Sequence, residues 1–534
     1  MRRVVSMTSR GSSRRVSATA DDAGAARIGA WLIVALLIPR VVRMLYPEVW
    51  VEDDFYLESA WFVSVGMRPY LDFIHPHMPL LEWIAGCYLK LFGASHLSIE
   101  ILNEAAIFAA SILTYPLARR AAGRPAAILA SILYAYSSLV FRYHVYERES
   151  FIAPLIILGA IVTLDDTTAA IGQAAILAAI FFVACAIKLT AVIPFAVMLV
   201  FIAVAYRRIA GAVASGVIFA LALAAFSAIL YRLYGNEFIF QTFVFHFLKG
   251  RDTAGSIATY PRMILDVLAP LFVLGCWRIF ADRIFSRGVI LVLAIVAAEY
   301  AFYGVLSPTA WGHNYLEAIP FIAIVAGIGA TALVRAIEDL IAREQAQHRW
   351  KLLAGGAALI AIFLIWITPI VNENWLHGAV YGFGFVPRAE ISQLADALRA
   401  ASKPGDDVIA PSFVCFEAGR RELIRYPETY GVYREAKAEY DRDGFFAARR
   451  HLGAADFFQL IYDTRHFWTE QMRDAIANGK VPAVISDSPV QLLPLVLVPE
   501  DFLSRNGFRV VLTTAHFKLW SRTPAPAAVT SSSE

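Results

Sequence analysis

Three adjacent carboxylates, Glu52, Asp53 and Asp54, stand just ahead of Tyr56. Mutual repulsion beside a low-dielectric surface raises the pKa of at least one of them. A carboxylate tuned in this way can take a proton from an attacking hydroxyl. The competing reading is a solvated acidic loop that merely ends a helix. A second group lies in VGMRPYLDFIHPHMPLLEW (65–83), where Pro69, Pro76 and Pro79 stiffen the chain and Asp72, His75 and His77 stand two or three residues apart. With Asp53, the two histidines could bind a divalent metal, since imidazole and carboxylate suit zinc or manganese. Loop histidines that only hydrogen-bond fit this spacing better. The stretch YHVYERES (143–150) adds Glu147, Arg148 and Glu149, either as ion-paired loop residues or with Glu149 as a second carboxylate facing the same cavity.

Lys188 is the one charge between Gln173 and Tyr206. An ionisable group in such a run is a functional candidate, with a phosphate as its expected partner; a lysine snorkelling from a turn is the plainer reading. In SPTAWGHNYLEAIPFIAI (307–324), His313, Asn314, Tyr315 and Glu317 open an apolar stretch and suit a ligand head group or an interface anchor. EFIFQTFVFHFLK (237–249) sets phenylalanines beside Gln241, His246 and Lys249. It reads as an aromatic interfacial belt or as a greasy groove for an isoprenoid chain.

The elements that position these groups are apolar. Of 534 residues, 58% are hydrophobic and 17% charged, against about 45–50% and about 25% in soluble domains. Residues 372–534 hold 38 of the 91 charged side chains, so a long apolar block precedes a soluble-looking region. A net charge of +3 excludes nucleic-acid binding driven by bulk charge. Cys87, Cys185, Cys276 and Cys415 are scattered and form neither a disulfide framework nor a zinc cluster. A bilayer core of about 30 Å takes roughly 20 residues per helix. Eleven spans are expected, at 28–46, 99–118, 125–141, 151–164, 170–187, 189–206, 211–231, 262–280, 288–306, 315–334 and 352–371. The loops on the N-terminal side carry 18 of the 29 Lys and Arg before residue 372, which makes that face cytoplasmic. The loops 47–98, 232–261 and 307–314 and the C-terminal region are then external. Within 47–98, segments 54–65 and 79–93 are too short to span and read as helices in the outer interface.

The order and spacing of these motifs resemble a known family. The acidic pair, Tyr56, Gly66, Pro69-Tyr70, Asp72-Phe73 and Pro79-Leu80-Leu81 resemble the first external loop of membrane glycosyltransferases of the C-type fold. The bacterial branch related to protein O-mannosyltransferases and the lipid A aminoarabinose transferase is the most similar. ACAIKLTA (184–191) is similar to the branch's lysine-bearing segment, and HNYLEAIPFIAI (313–324) to its R/H-Y-x-x-P-x-x-P segment. Counting back from Tyr56 puts Glu52 at the catalytic aspartate and Asp53 at the second acid; a slip of one residue gives Asp53-Asp54. His77 stands where the family has lysine, and Met78 replaces a proline.

The resemblance implies a multi-span α-helical membrane protein of about eleven helices, placed in the bacterial inner membrane with its N terminus cytoplasmic. Its donor would be a sugar on a polyprenyl phosphate, its acceptor a hydroxyl of a lipid, glycan or protein, and no cofactor is required. Lys188, with Arg262 or His313, would supply positive charge to the departing phosphate; Tyr56, Asp72, His77 and Tyr315 complete the expected substrate contacts. Tails are expected at 1–27 and 523–534, the membrane domain over 28–371, and an external α/β domain over 372–522. In that last domain 387–403 predicts an amphipathic helix, and 405–411, 481–487 and 508–522 predict strands, with a turn at 513–516. A carrier of lipid-linked sugars and a non-catalytic subunit of an envelope assembly are the competing functions.

Overall fold

The computed structural model describes residues 29–45, 48–50, 55–140, 146–165, 170–252, 260–307, 309, 312–343, 385–425, 427–487 and 498–522. The expected tails, the span at 352–371 and the acidic trio Glu52, Asp53 and Asp54 lie outside them. Helices cover the other ten expected spans. They are α1 (residues 29–44), then, after α2 (Phe55–Ser64) and α3 (Leu80–Phe92), α4 (His96–Ala122), α5 (Arg124–Val140), α6 (Arg148–Thr163), α7 (Ala170–Ile187), α8 (Val192–Ala205) and α9 (Ile209–Tyr234). After the short α10 (Asn236–Ile239) and α11 (Phe245–Leu248) come α12 (Tyr260–Ala281), α13 (Arg287–Ala301) and α14 (Ile319–Arg343). Among the described residues four helical stretches are long and apolar enough to cross a bilayer: His96–Ala122, Ile209–Tyr234, Arg287–Leu306 and Asn314–Asp339.

Local chemistry sets the ends of these helices. Ser95 caps α4 by accepting from the Ser98 amide at 3.2 Å, and Ser286 caps α13 through the Val289 amide at 3.1 Å. The hub is α14, against which α4, α5, α12 and α13 pack. Small residues let the backbones approach: a Cβ on Gly275 would sit 2.0 Å from the Val325 carbonyl oxygen, and one on Gly329 2.1 Å from that of Leu271.

Of the two short helices between α1 and α4, α3 leaves Ile84, Leu91 and Phe92 exposed, whereas α2 is enclosed. Every residue of α2 from Tyr56 to Phe62 is buried, between α3 and a helix of the C-terminal region, α16 (Ser412–Ala418). The physical reason is that aromatic and aliphatic residues surround α2, with Glu58 its one carboxyl side chain and itself bonded to the Glu422 amide, and such a helix belongs in a core and not at an interface. Further ties run between the two parts. Strand β1 (Glu48–Trp50) pairs antiparallel with β2 (Phe385–Pro387), which leads into α15 (Arg388–Ala401). Arg388 bonds Glu100 at 2.6 Å, and His96 Nδ1 lies 2.8 Å from the Glu417 carboxylate.

Beyond α15, the segment expected as a strand at 405–411 pairs at β3 (Asp407–Val408), parallel to β4 (Arg421–Glu422), and at Ile409, which bridges Val484. After α17 (Pro427–Asp443), β5 (Ala483–Asp487), β6 (Arg509–Thr513) and β7 (Phe517–Ser521) make an antiparallel sheet in the order β5-β7-β6, with a bulge between Val510 and Leu512. The β6–β7 hairpin turns over residues 514–516, inside the segment where the sequence predicts a turn.

Candidate functional site

The loop between α2 and α3 is pinned in an uncommon conformation. Tyr70 has φ +68°, rare for a bulky residue and held only when its surroundings over-determine it. Its hydroxyl donates to the His77 carbonyl at 2.5 Å. Its own carbonyl accepts from Gln241 Nε2 at 2.9 Å, while the His75 amide donates to Gln241 Oε1 at 2.7 Å. Gln241 occupies a π-helical turn (Phe240–Val244) between α10 and α11; such turns frequently mark functional sites.

This pinned loop brings His75 and His77 to one face of a charged network. At the start of α6, Arg148 is buried, donates to Glu82 Oε1 at 2.5 Å and stacks 3.9 Å over the Tyr56 ring. The Tyr56 hydroxyl meets His77 Nε2 at 3.1 Å. His75 Nε2 lies 3.2 Å from Glu82 Oε2, close enough to pair but not aligned as a hydrogen bond. The His77 ring lies 5.4 Å from that of His246, whose Nε2 donates to the Pro76 carbonyl at 2.6 Å. Burial, then the positive charge of Arg148, holds His77 well below its usual pKa. Burial and the Lys249 ammonium push His246 down to about 3. Burial acts to raise the Glu82 carboxyl, yet Arg148 and His75 outweigh it and keep Glu82 below its usual value. His77 and His246 are therefore neutral, and Glu82 is a carboxylate.

Glu149, the next residue, turns into a second network. Helix α7 stops because Lys188 adopts an extended backbone (φ −148°, ψ 120°) before a 3₁₀ turn (Leu189–Ala191), and this carries the ammonium inward. Lys188 pairs with Glu149 and, at 3.1 Å, with Glu317. Asn314 donates to Glu149 at 3.0 Å, and Tyr303, in a π-helical turn (Phe302–Leu306), donates to Glu317 at 3.0 Å. Sequence reading gives Lys188 a phosphate as partner; the structure gives it two carboxylates, supplied from 39 and 129 residues away.

Other expected contacts fall differently. Tyr315 is 0% exposed and packs against Tyr300 and Tyr303 at 5.1 and 5.5 Å. Asp72 closes its own loop: it accepts from the Arg68 amide at 2.7 Å and pairs with the Arg68 side chain. It also lines a cleft of about 610 Å³ with Tyr70, Glu237, Arg425 and Tyr433. Among the described residues no three His, Cys, Asp or Glu side chains group to hold a metal; His75 and His77 stand 6.4 Å apart, ring to ring, and Asp53 lies outside the description. Arg262 lies in the first turn of α12 and His313 in the 3₁₀ turn Gly312–Ala318; their side chains are outside the described ones. Glu82 is the member that sequence reasoning did not single out; Arg148, His246 and Glu317 stood in motifs that it named without the roles seen here. Glu82 and Glu317 carry the signal of a lone acid inside an apolar run.

No family model matches the chain, and no curated protein matches it. Among solved structures, ArnT from Cupriavidus metallidurans in the apo state is similar with a TM-score of 0.59 and 14% identity, over 93% of this chain and 98% of that one. The same protein bound to undecaprenyl phosphate gives a TM-score of 0.58 and 15% identity, over 92% and 98%. This likeness shows the fold: the chain folds as those ArnT structures do.

Proposed function

We propose that the protein transfers a single sugar from a polyprenyl-phosphate donor to an acceptor hydroxyl of a lipid, glycan or protein at the external face of the bacterial inner membrane. The observation that carries this reading is a charged cluster built from Tyr56, Glu82, Arg148 and two neutral histidines, inside a fold shared over nearly the full length of ArnT. A structure of that protein holds undecaprenyl phosphate. Eleven spans, a cytoplasmic N terminus and external residues 372–522 follow from the basic-residue asymmetry of the sequence.

In this reading the acceptor oxygen attacks the anomeric carbon and gives its proton to one of Glu52, Asp53 and Asp54, the carboxylates just before α2. The bond from the anomeric carbon to the phosphate oxygen breaks with its electron pair, releasing polyprenyl phosphate. Positive charge beside that oxygen stabilises the leaving group. Glu149 is the next candidate base after the trio, although Lys188 and Asn314 already engage it.

The test is to incubate purified protein with a panel of polyprenyl-phosphate sugars and measure polyprenyl phosphate released. One or more sugars are expected to turn over, and Asp53→Asn, with Glu52→Gln and Asp54→Asn beside it, locates the base by a loss of about 10²–10⁴ in rate. No release with any sugar and a range of acceptors, lipid, glycan and peptide, would sink the proposal.

A further inference from the structure

Among the described residues the site contains three cations, and their partners are unequal. Lys188 is matched by two carboxylates, Glu149 and Glu317. Arg148 spends one nitrogen, Nη2, on Glu82; its Nε and Nη1 are buried and have no partner among the described residues. Lys249 closes α11, three residues after His246, and its ammonium meets no carboxylate among the described residues. Burial and then the charge of Lys188 push that ammonium down to about 8, the opposite of what a counter-ion would do. Contacts run from Arg148 through Tyr56 to the His77–His246 pair, and Lys249 caps the short helix that carries His246, three residues on.

A buried guanidinium with free donors and a half-buried ammonium without a counter-ion both leave desolvation uncompensated. An anion with several acceptor oxygens satisfies both at once. We propose that Arg148 and Lys249, and not Lys188, receive the phosphate of the lipid donor, seated over the His77–His246 pair. This rests on the transfer reading above. Lys249 then takes over the part of a phosphate cation in a chain whose first external loop offers His77 where related sequences have lysine. Because both histidines are neutral, they add no charge of their own, and the two cations decide the affinity.

The experiment compares undecaprenyl phosphate with undecaprenol, which lacks the phosphate, as ligands for the purified full chain in detergent. Wild type is expected to favour the phosphate at least about tenfold, and the preference falls as pH rises past about 8. Lys249→Ala is expected to lose about tenfold or more of that preference. Lys249→Arg keeps most of it and extends it to higher pH, since the guanidinium stays charged. Arg148→Lys, which retains the pair with Glu82 but not the free donors, loses preference with undecaprenol binding unchanged. Melting temperatures near that of wild type certify that each variant is folded. Full preference in folded Lys249→Ala overturns the assignment while the transfer reading stands. Absence of any preference in wild type overturns both.

Discussion

Arg148 and Glu149 are neighbours in sequence and belong to two different electrostatic regimes. Consecutive helical residues point about 100° apart, so Arg148 enters the network of Glu82 and Tyr56 while Glu149 enters that of Lys188, Asn314 and Glu317. The Lys188 network is saturated on its cationic side: one ammonium faces two carboxylates and a tyrosine hydroxyl. The Arg148 network is not, because donors are left over. A saturated buried network fixes geometry; an unsaturated one has bonds to offer a ligand. Residue type alone would have ranked Lys188 first as a ligand cation, and partner counting reverses that order.

The widest effect expected from this contrast is on stability. Lys188→Ala would leave Glu149 and Glu317 buried without their counter-charge, near Glu299, whose two carboxylate oxygens already lack hydrogen-bond partners. Removing one side of such a pair costs about 3–5 kcal/mol, read as a large drop in melting temperature in detergent. Adding Glu317→Gln to Lys188→Ala should restore part of it, since one uncompensated charge disappears. If Lys188→Ala melts like wild type, the saturated network is not structural and the contrast between the two clusters fails.

A second prediction uses pH and the far side of α2, the helix that supplies Tyr56. Glu58 on that side is buried under the C-terminal region, accepts from the Glu422 amide at 3.2 Å, and is pushed up to about 7 by burial. A carboxyl whose folded pKa exceeds its unfolded value of about 4.5 binds protons better when folded. Its contribution is therefore complete below about pH 4.5 and is lost as pH rises through about 7. The loss is on the order of 3 kcal/mol at most. Glu58→Gln should flatten the stability profile between those values. A wild-type profile that already shows no fall over this window removes Glu58 as the titrating group.

Much of the scaffold was legible because bilayer-length apolar runs are local signals. Lys188 stood out for the same reason: a single charge in an apolar run can be seen without knowing its neighbours. Its partners could not, since Glu149 and Glu317 reach it across 39 and 129 residues of chain. The enclosure of α2 was equally invisible, because α16, the helix that covers it, begins at Ser412. Gln241 and His246 were visible among phenylalanines that read as a membrane belt or a groove, but their role was not; the π-helical turn and the pinned Tyr70 reveal that this stretch buttresses the histidine loop. The acidic trio, the sharpest motif of the sequence, lies outside the described residues, so its role rests on the sequence alone.

The smallest expected effect concerns Asp72, placed by sequence among the substrate contacts and by structure in a staple on its own loop. Its carboxylate accepts from the Arg68 amide and pairs with the Arg68 side chain at 3.2 Å, and that side chain is 63% exposed. Exposed pairs of this kind contribute roughly 0–1 kcal/mol because water and salt screen them. The side-chain bond to Arg68 draws the Asp72 pKa down, so the group is ionised at neutral pH. Asp72→Asn removes the charge but keeps an oxygen that can accept from the Arg68 amide, and the Asp72 carbonyl still accepts from Arg425 at 2.7 Å. The loop should therefore stay pinned, with stability changed by less than about 1 kcal/mol and turnover within about twofold of wild type. High salt should reproduce most of the small effect in the unmodified protein, since it screens the same pair. A tenfold or greater fall in turnover with melting temperature unchanged would return Asp72 to the substrate site and extend the unsaturated cluster across the loop to the neighbouring 610 Å³ cleft.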